Sequence, residues 1–408
     1  MSDIKTIWVF NQFAGHPESG WGERHFYFAK YWQKAGYRVV IFSGSYNHMF
    51  QQLPTTNGTF THEVVKDVEF CWVKVPTYLP QSMMRFWSMW VFAWRLLWTP
   101  MAQYGSPQSI IVSSVPIFPI LTAIILRFKN PGIKVFFEIR DIWPLSLIYL
   151  ANLSKWHPAV LFLGWFEKLG YRRANAVISL LPNARGHIEA VAGKKIDFHY
   201  IPNGIDASLL VPESIEEDIR QKIPANKFII GYTGTMGLAN ALETLLEAAS
   251  LLQKYENIHF LLVGDGYLKS KLIEMAGSAT NVTFIPKIRK NQVQHLLQMV
   301  DVCFVGRNDS PLFKHGVSAN KYFDYMLAAK PVLDANNLIK DPVELSGCGI
   351  IVKPDSAKAV AEGVLKFYNM PEEERGAMGN LGLTYVKEKH SIQNLASAYL
   401  KVLTDSAI

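Results

Sequence analysis

Apolar residues along the chain alternate between short continuous runs and stretches where they recur at helical spacing. That is the pattern of strands alternating with helices. Thr6 to Phe10 (TIWVF) reads as the first strand, and Asn11 to Gly22 as a loop holding Gly15, Gly20 and Gly22. Glu23 to Ala35 then places Phe26, Phe28, Ala29 and Trp32 on one helix face, Gly36 ends it, and Val39 to Phe42 is the next strand. Strand, glycine loop, helix, strand is a βαβ unit, and its loop lies where open α/β sheets bind ligands. Ile110–Val112, Lys134–Ile139 (KVFFEI) and Ala176–Leu180 read as further strands. The long uncharged run after Ser109 is not a membrane span, because Pro116 and Pro119 divide it into strand, turn and a helix over Ile120–Phe128.

The pattern pauses at Tyr200–Asp206 (YIPNGID), where Pro and Asn-Gly favour a turn. It then restarts with strands at Phe228–Tyr232, Phe260–Val263, Val282–Ile285 and Val302–Val305, a helix over Asn240–Leu252, and a last helix over Ile392–Leu403. A chain of 408 residues can bury two cores. The expected organisation is α/β: one Rossmann-like α/β/α domain over residues 1–202, a second over 203–388, and a helix over 389–408 that crosses back to the first.

Charge and aromatic content divide the same way. Residues 1–200 hold 20 Lys and Arg against 11 Asp and Glu, and residues 201–408 hold 21 against 23. All 11 Trp lie between Trp8 and Trp165. A basic, Trp-rich first half suits an anionic, greasy partner, and a bilayer surface suits Trp with Arg better than nucleic acid does. The strongest such signal is Met83–Trp98, where Trp87, Trp90, Trp94 and Trp98 follow helical steps with Arg85 and Arg95 near the ends. The stretch is too short to span a bilayer, so it reads either as an in-plane helix or as a core helix under an amphipathic surface. Cys71, Cys303 and Cys348 show no metal or redox spacing, which suits a reduced, cytoplasmic compartment. No signal peptide is expected from the short first apolar run.

Candidate chemistry concentrates in Phe313–Leu333 (FKHGVSANKYFDYMLAAKPVL). Lys314, His315, Gly316, Val317 and Ser318 read as a loop, Ser318 as an N-cap, and Ala319–Ala329 as a helix stopped by Lys330-Pro331. A helix start carries unpaired N–H groups and partial positive charge, so it suits a diphosphate, with Lys314 and Lys321 adding full charge. Asp324 shares a face with Lys321 and could accept hydrogen bonds from a ribose diol; a plain Lys321–Asp324 surface pair is the alternative. In the first half, Arg140 and Asp141 follow directly on the KVFFEI strand and so point into the ligand crevice of their sheet, unless they only close a loop. Arg24, at a helix start after Gly20, could meet a phosphate or simply be a surface arginine.

Several stretches resemble retaining glycosyltransferases of the GT-B fold, two Rossmann-like domains facing across a cleft. The donor loop of that family shows Glu-x7-Glu before a small-residue run. Here Asp324 falls at the second Glu, MLAAKPVL fills the run, and Gly316 stands where the first Glu would be. Arg140-Asp141-Ile142-Trp143-Pro144 and the Gly316–Lys321 run resemble the L-fucosamine-type transferases of O-antigen and capsule assembly. Ile201–Asp206 resembles the family hinge, and Gly264-Asp265-Gly266 its Gly-Asp-Gly turn. Thr233–Gly237 resembles its first phosphate loop, except that Thr235 and Asn240 are neutral where relatives carry Arg and Lys.

The resemblance implies a donor site built from Gly234, Thr235, Met236, Gly237, Asn240, Gly264, Lys287, Arg289, Lys290, Arg307, Lys314, Gly316, Val317, Ser318 and Asp324. It implies Arg140, Asp141 and Lys321 as catalytic, and Gly20 and Arg24 on the acceptor side. No cofactor and no metal site are expected, since Asp-x-Asp is absent. The expected partners are a UDP-sugar and a lipid-diphosphate-linked saccharide at the inner membrane face. A nucleotide-sugar 2-epimerase, or a non-catalytic UDP-binding subunit of a membrane complex, are the rival readings.

Overall fold

The computed structural model describes residues 5–79, 82–209 and 211–406, so the outermost residues of the first and last expected segments lie outside it. The chain divides into two units. One takes the residues up to Asn203 together with those from Ile392 onward, and the other is Gly204–Ser391.

The first unit is built on an eight-stranded sheet in the order β3-β4-β2-β1-β5-β6-β7-β8. Its strands are β1 (Thr6–Phe10), β2 (Arg38–Gly44), β3 (Phe60–Val65), β4 (Val68–Val73), β5 (Ser109–Ser113), β6 (Lys134–Ile139), β7 (Ala176–Ser179) and β8 (Phe198–Tyr200). All neighbours are parallel except β3 on β4. The β3–β4 hairpin is absent from the apolar pattern because β3 (FTHEVV) is a half-exposed edge strand, where alternating or polar residues suffice. The central strands are buried on both faces, which is why they read as continuous apolar runs.

One sheet face packs under the helices Met84–Leu96, Pro119–Lys129 and Pro158–Arg173. The other packs under Arg24–Lys34 and the returning helix Ile392–Asp405. The returning helix is held by Trp32 Nε1 donating to the Ala396 carbonyl at 2.9 Å, and by the Tyr399 ring against Phe28 and Trp32. Each such large side chain removed from water contributes about 1.5–3 kcal/mol.

The second unit holds a fully parallel six-stranded sheet in the order β11-β10-β9-β12-β13-β14. Its strands are β9 (Phe228–Thr233), β10 (Ile258–Val263), β11 (Val282–Ile285), β12 (Val302–Gly306), β13 (Val332–Ala335) and β14 (Gly349–Val352). The chain builds outward from β9 to β11, then returns to the other side of β9 to lay down β12. The crevice between the carboxyl ends of β9 and β12 is therefore the switch point, where sheets of this kind bind ligands. In the first unit the equivalent point lies between β1 and β5.

Two helix boundaries differ from expectation. The helix expected over Asn240–Leu252 is a 3-10 turn over Leu238–Asn240, then Ala241 at φ 45°, then a helix over Leu242–Leu251. The helix expected over Ala319–Ala329 spans Asn320–Leu327, and its N-cap is Ala319 rather than Ser318, with no side chain capping it. Backbone conformation decided both: Ala241 and Ala329 sit at positive φ, which breaks a helix whatever its propensity.

Candidate functional site

At the switch point of the second unit the loop after β9 is clamped onto the loop after β10. Gly234 N–H donates to the Val263 carbonyl at 3.0 Å, and Met236 N–H to the Asp265 carbonyl at 2.8 Å. Gly264 permits this approach: at φ 148°, a Cβ there would lie 1.9 Å from the Gly234 oxygen. Met236 is buried in the core beneath, while Gly234 and Thr235 stand exposed above it and Gly237 lies against the Tyr267 ring.

The helix Asn320–Leu327 is pinned beside this loop. The Tyr325 hydroxyl, buried, accepts from Thr233 N–H at 2.9 Å. One turn earlier, Lys321 reaches over the loop. Its ammonium donates to Asn240 Oδ1 at 2.5 Å and to the Tyr232 hydroxyl at 3.1 Å, and lies 4.4 Å from the Tyr232 ring centroid. Asn240 Nδ2 and the Tyr232 hydroxyl in turn donate to the Thr235 carbonyl, at 2.9 and 2.6 Å. Asn240, neutral where a cation was anticipated, is thus the bracket that aims Lys321.

Lys321 forms no ion pair among the described residues. Burial, with Arg307 nearby, pushes its ammonium well below the usual lysine range against a pull from Asp334. Such a group gains when an anion arrives, because the anion restores the charge that burial penalises. Arg307 follows β12 and likewise forms no ion pair among the described residues. It is 7% exposed, its guanidinium lies over the Phe313 and Tyr322 rings at 5.4 and 5.9 Å, and its Nε and Nη2 have no hydrogen-bond partner. The helix start itself has no cap and no acidic residue in its first turn. Two cations and a helix start that Ala319 does not cap thus sit at the carboxyl end of this sheet.

Lys321 and Asp324 do not pair, so the simple surface pair is ruled out. Asp324 is 7% exposed and is held by Lys290, whose ammonium lies 2.5 Å from each carboxylate oxygen. A carboxylate has lone pairs to spare beyond those two contacts. Arg289 is committed elsewhere: it is exposed and bridges Glu213 at 3.0 Å and Glu216 at 3.2 Å, which leaves it little to offer a diphosphate. Lys287 and Lys314 are exposed, Gly316 is buried at φ 87°, Val317 packs on the core, and Ser318 is half-buried.

Next to this crevice lies an acid pair that the sequence reading missed. Asp334 on β13 and Asp341 are buried, and the Tyr322 hydroxyl and Asn336 Nδ2 donate to Asp341 at 3.2 and 3.4 Å. Burial and the neighbouring Asp341 push Asp334 up to about 8.

In the first unit, Arg24 is the main correction. It is not on the surface but buried, and its guanidinium is spent on the protein. Nε donates to Glu138 Oε2 at 3.2 Å, Nη1 to the Pro202 carbonyl at 2.5 Å and to Asn203 Oδ1 at 3.3 Å, and Nη2 to the Ile201 carbonyl at 2.8 Å. An acceptor phosphate would have to displace these contacts. Gly20 serves the backbone as the left-handed cap of a short turn, at φ 68°. Glu138 also accepts from Ser113 Oγ at 2.8 Å and lies 3.2 Å from His25 Nε2. Burial would raise its carboxyl, but Arg24 and His25 hold it well below the usual carboxylate range. An acid inside the apolar strand KVFFEI was the available signal, since a buried charge requires partners.

Arg140 differs from its neighbour. Its N–H donates to Ser114 Oγ at 3.0 Å, but its half-buried guanidinium makes no hydrogen bond or close ion pair among the described residues. Burial lowers its pKa, with Glu138 and Asp141 pulling the other way. Asp141 beside it is exposed. No cluster of three or more His, Cys, Asp or Glu suited to a metal occurs among the described residues.

Comparison with known proteins fits this arrangement. Residues 19–204 match the family model of the glycosyl transferase 4-like domain, and residues 227–370 that of the glycosyl transferases group 1. The chain is 24% identical over 337 residues to a protein of Escherichia coli (strain K12) assigned to colanic acid biosynthesis as the glycosyl transferase WcaI, covering 77% of this chain and 80% of that one. Among solved structures it resembles sucrose-phosphate synthase from Thermosynechococcus elongatus, with TM-score 0.74, 16% identity and 98% of each chain covered. It also resembles Anabaena HepE in complex with UDP-glucose, with TM-score 0.69, 14% identity, and 98% of this chain and 99% of that one covered. WaaG, a glycosyltransferase involved in lipopolysaccharide biosynthesis, gives TM-score 0.68 at 14% identity, with 98% of this chain and 100% of that one covered. With both family halves in chain order, each on its own largely parallel sheet, the chain belongs to the GT-B glycosyltransferases, a 4-like domain followed by a group 1 domain.

Proposed function

We propose that this glycosyltransferase takes a sugar from a UDP-sugar with retention of configuration and without a metal. The acceptor is a lipid-diphosphate-linked saccharide of bacterial surface polysaccharide assembly, met at the inner face of the membrane. One observation carries the reading: Lys321 and Arg307, neither in an ion pair among the described residues, lie with a helix start that Ala319 does not cap at the switch point of the second unit. Two such cations beside a helix start suit an anion with the charge of a diphosphate. The relative assigned to colanic acid biosynthesis, and the neighbours solved with UDP-glucose or involved in lipopolysaccharide biosynthesis, support the substrate classes.

The chemistry follows from the charges. As the bond to the donor sugar breaks, negative charge grows on the leaving diphosphate. Lys321, Arg307 and the amide protons of the helix start stabilise that charge, and they are preorganised because Asn240, Tyr232 and the Thr233–Tyr325 contact already hold them in place. Asp324 accepts from the ribose hydroxyls with the lone pairs Lys290 leaves free. Arg140 binds the acceptor diphosphate, and the leaving diphosphate takes the acceptor proton. Gly316 supplies no carboxylate, so the donor sugar is held by other groups.

The test is a panel of UDP-sugars incubated with bacterial lipid extracts, with and without EDTA. The expected result is sugar transferred to a lipid-diphosphate saccharide, anomeric configuration kept, at a rate EDTA does not change. Epimer formation from a UDP-sugar alone would establish the 2-epimerase instead. UDP binding without transfer to any acceptor would make the protein a binding subunit.

A further inference from the structure

The helix Met84–Leu96 buries Ser88, Met89, Phe92, Ala93 and Leu96 against its own sheet. Its opposite face is left uncovered: Trp87 is 54% exposed and Trp94 57%, and Trp98 just beyond the helix is 68% exposed. The stretch is therefore a core helix that also carries an unpartnered aromatic stripe. A second stripe runs beside it on the helix Pro158–Arg173, where Phe162 is 51% and Trp165 54% exposed. Trp90 joins the two, with its ring 6.3 Å from Phe162 and 6.0 Å from Phe166, and Phe166 touches Trp165 at 4.9 Å. The result is one aromatic face across two helices, of a kind soluble monomers rarely leave bare.

Charge identifies what covers it. Residues 83–173 contain ten Lys and Arg but only Glu138, Asp141 and Glu167 as acids, and both glutamates are buried. Lys168, Arg172 and Arg173 extend the second helix past Trp165 and are exposed. Two copies of such a face would bring like charges together, whereas acidic headgroups over an acyl layer match both the cations and the aromatic rings.

The face also abuts the candidate acceptor site. Phe86 packs on Trp143, three residues after Arg140, at 5.5 Å, and Gln12 from the loop after β1 donates to Ser88 at 3.0 Å. No helix among the described residues is long and apolar enough to cross a membrane, so attachment would be in the plane of the surface.

We infer that the Trp87–Trp94–Trp98 and Phe162–Trp165 stripes, rimmed by Lys168, Arg172 and Arg173, form a single docking surface for an anionic phospholipid bilayer. It presents the Arg140 loop to a lipid-borne acceptor. The purpose rests on the acceptor proposed above; the surface itself does not.

Vesicle flotation of the full chain tests it, using phosphatidylcholine alone and phosphatidylcholine mixed with phosphatidylglycerol. Binding to the mixed vesicles is expected, with a blue shift of Trp emission and weakening as salt rises. Phe162→Ser with Trp165→Ser, and separately Arg172→Glu with Arg173→Glu, should each weaken vesicle binding by about tenfold or more. Both variants should keep their rate on a water-soluble acceptor analogue that lacks the lipid tail. Wild-type protein that ignores anionic vesicles, or variants that bind as well as wild type, would overturn the surface. So would gel filtration showing a dimer that these substitutions turn into a monomer, because a second copy would then be its occupant. If vesicle binding behaves as stated but no lipid-linked saccharide accepts sugar, the surface stands and the acceptor reading falls.

Discussion

The two switch points of this molecule have similar backbones and opposite electrostatics. In the first unit, a buried carboxylate and two basic side chains satisfy one another: Glu138 takes Arg24, His25 and Ser113, and Arg24 spends its remaining donors on the carbonyls of Ile201 and Pro202. In the second unit, Lys321 and Arg307 are held by a tyrosine, an asparagine and aromatic rings, with no carboxylate of the described residues in ion-pair contact. The acids nearby, Asp334 and Asp341, face each other, and Asp334 is pushed up to about 8. A cluster that neutralises itself adds rigidity and fixes the end of the first unit's chain. A cluster whose cations make no ion pair among the described residues is prepared for an anion from outside. Residue type alone does not separate these cases, since both contain Arg beside strand ends. What separates them is whether a carboxylate sits at ion-pair distance.

The sharpest way to break the comparison is to remove the first unit's carboxylate. Glu138→Gln leaves Arg24 buried without its counter-charge, and should lower stability by about 3–5 kcal/mol in urea unfolding. A loss below about 1 kcal/mol would mean that the Arg24 cluster is not self-neutralising in the sense argued. Next in size is Lys321→Ala, which should cut the transfer rate about 100-fold or more while the thermal midpoint barely moves. Unchanged turnover in a folded variant would remove Lys321 from the machinery.

The acid pairs respond to pH with opposite signs. Glu138 has its pKa held down in the fold, so its contribution is present at neutral pH and is lost as pH falls through and below the usual carboxylate range. Asp334 has its pKa raised, so the stability tied to its proton is lost as pH rises from about 4 toward about 8. Asp334→Asn should flatten that decline and stabilise the protein at the alkaline end by on the order of a few kcal/mol. An unaltered pH slope in unfolding experiments would refute the assignment. The smallest effect belongs to Arg289→Ala. Its bridges to Glu213 and Glu216 are exposed, so both stability and nucleotide affinity should stay within about 0.5 kcal/mol, and a large loss of UDP affinity by calorimetry would return it to the donor site.

Much of this was legible in order along the chain. The βαβ starts at Thr6 and Phe228, and the strand Lys134–Ile139, stood out because strands buried on both faces must be continuously apolar. The edge strand Phe60–Val65 did not, because a strand with one face in water carries no such run. Lys321 was legible as a candidate from its place at a helix start. Its supports, Tyr232 and Asn240, lie 89 and 81 residues away in sequence, and no local pattern links them. Arg24 looked like a phosphate contact or a surface arginine because nothing next to it announces Glu138, 114 residues later.

The sequence by itself determined where strands and helices alternate, where the chain turns at Pro202-Asn203-Gly204, and which loops hold glycine and lysine, because these depend on local sterics and on periodic burial. Only the tertiary structure decided which charges meet. A cation becomes a structural tie or a ligand contact according to the acid that the sheet order brings beside it, and strand order is a property of the packed whole. Glu138 was brought into ion-pair contact with Arg24, and among the described residues no acid was brought into such contact with Lys321.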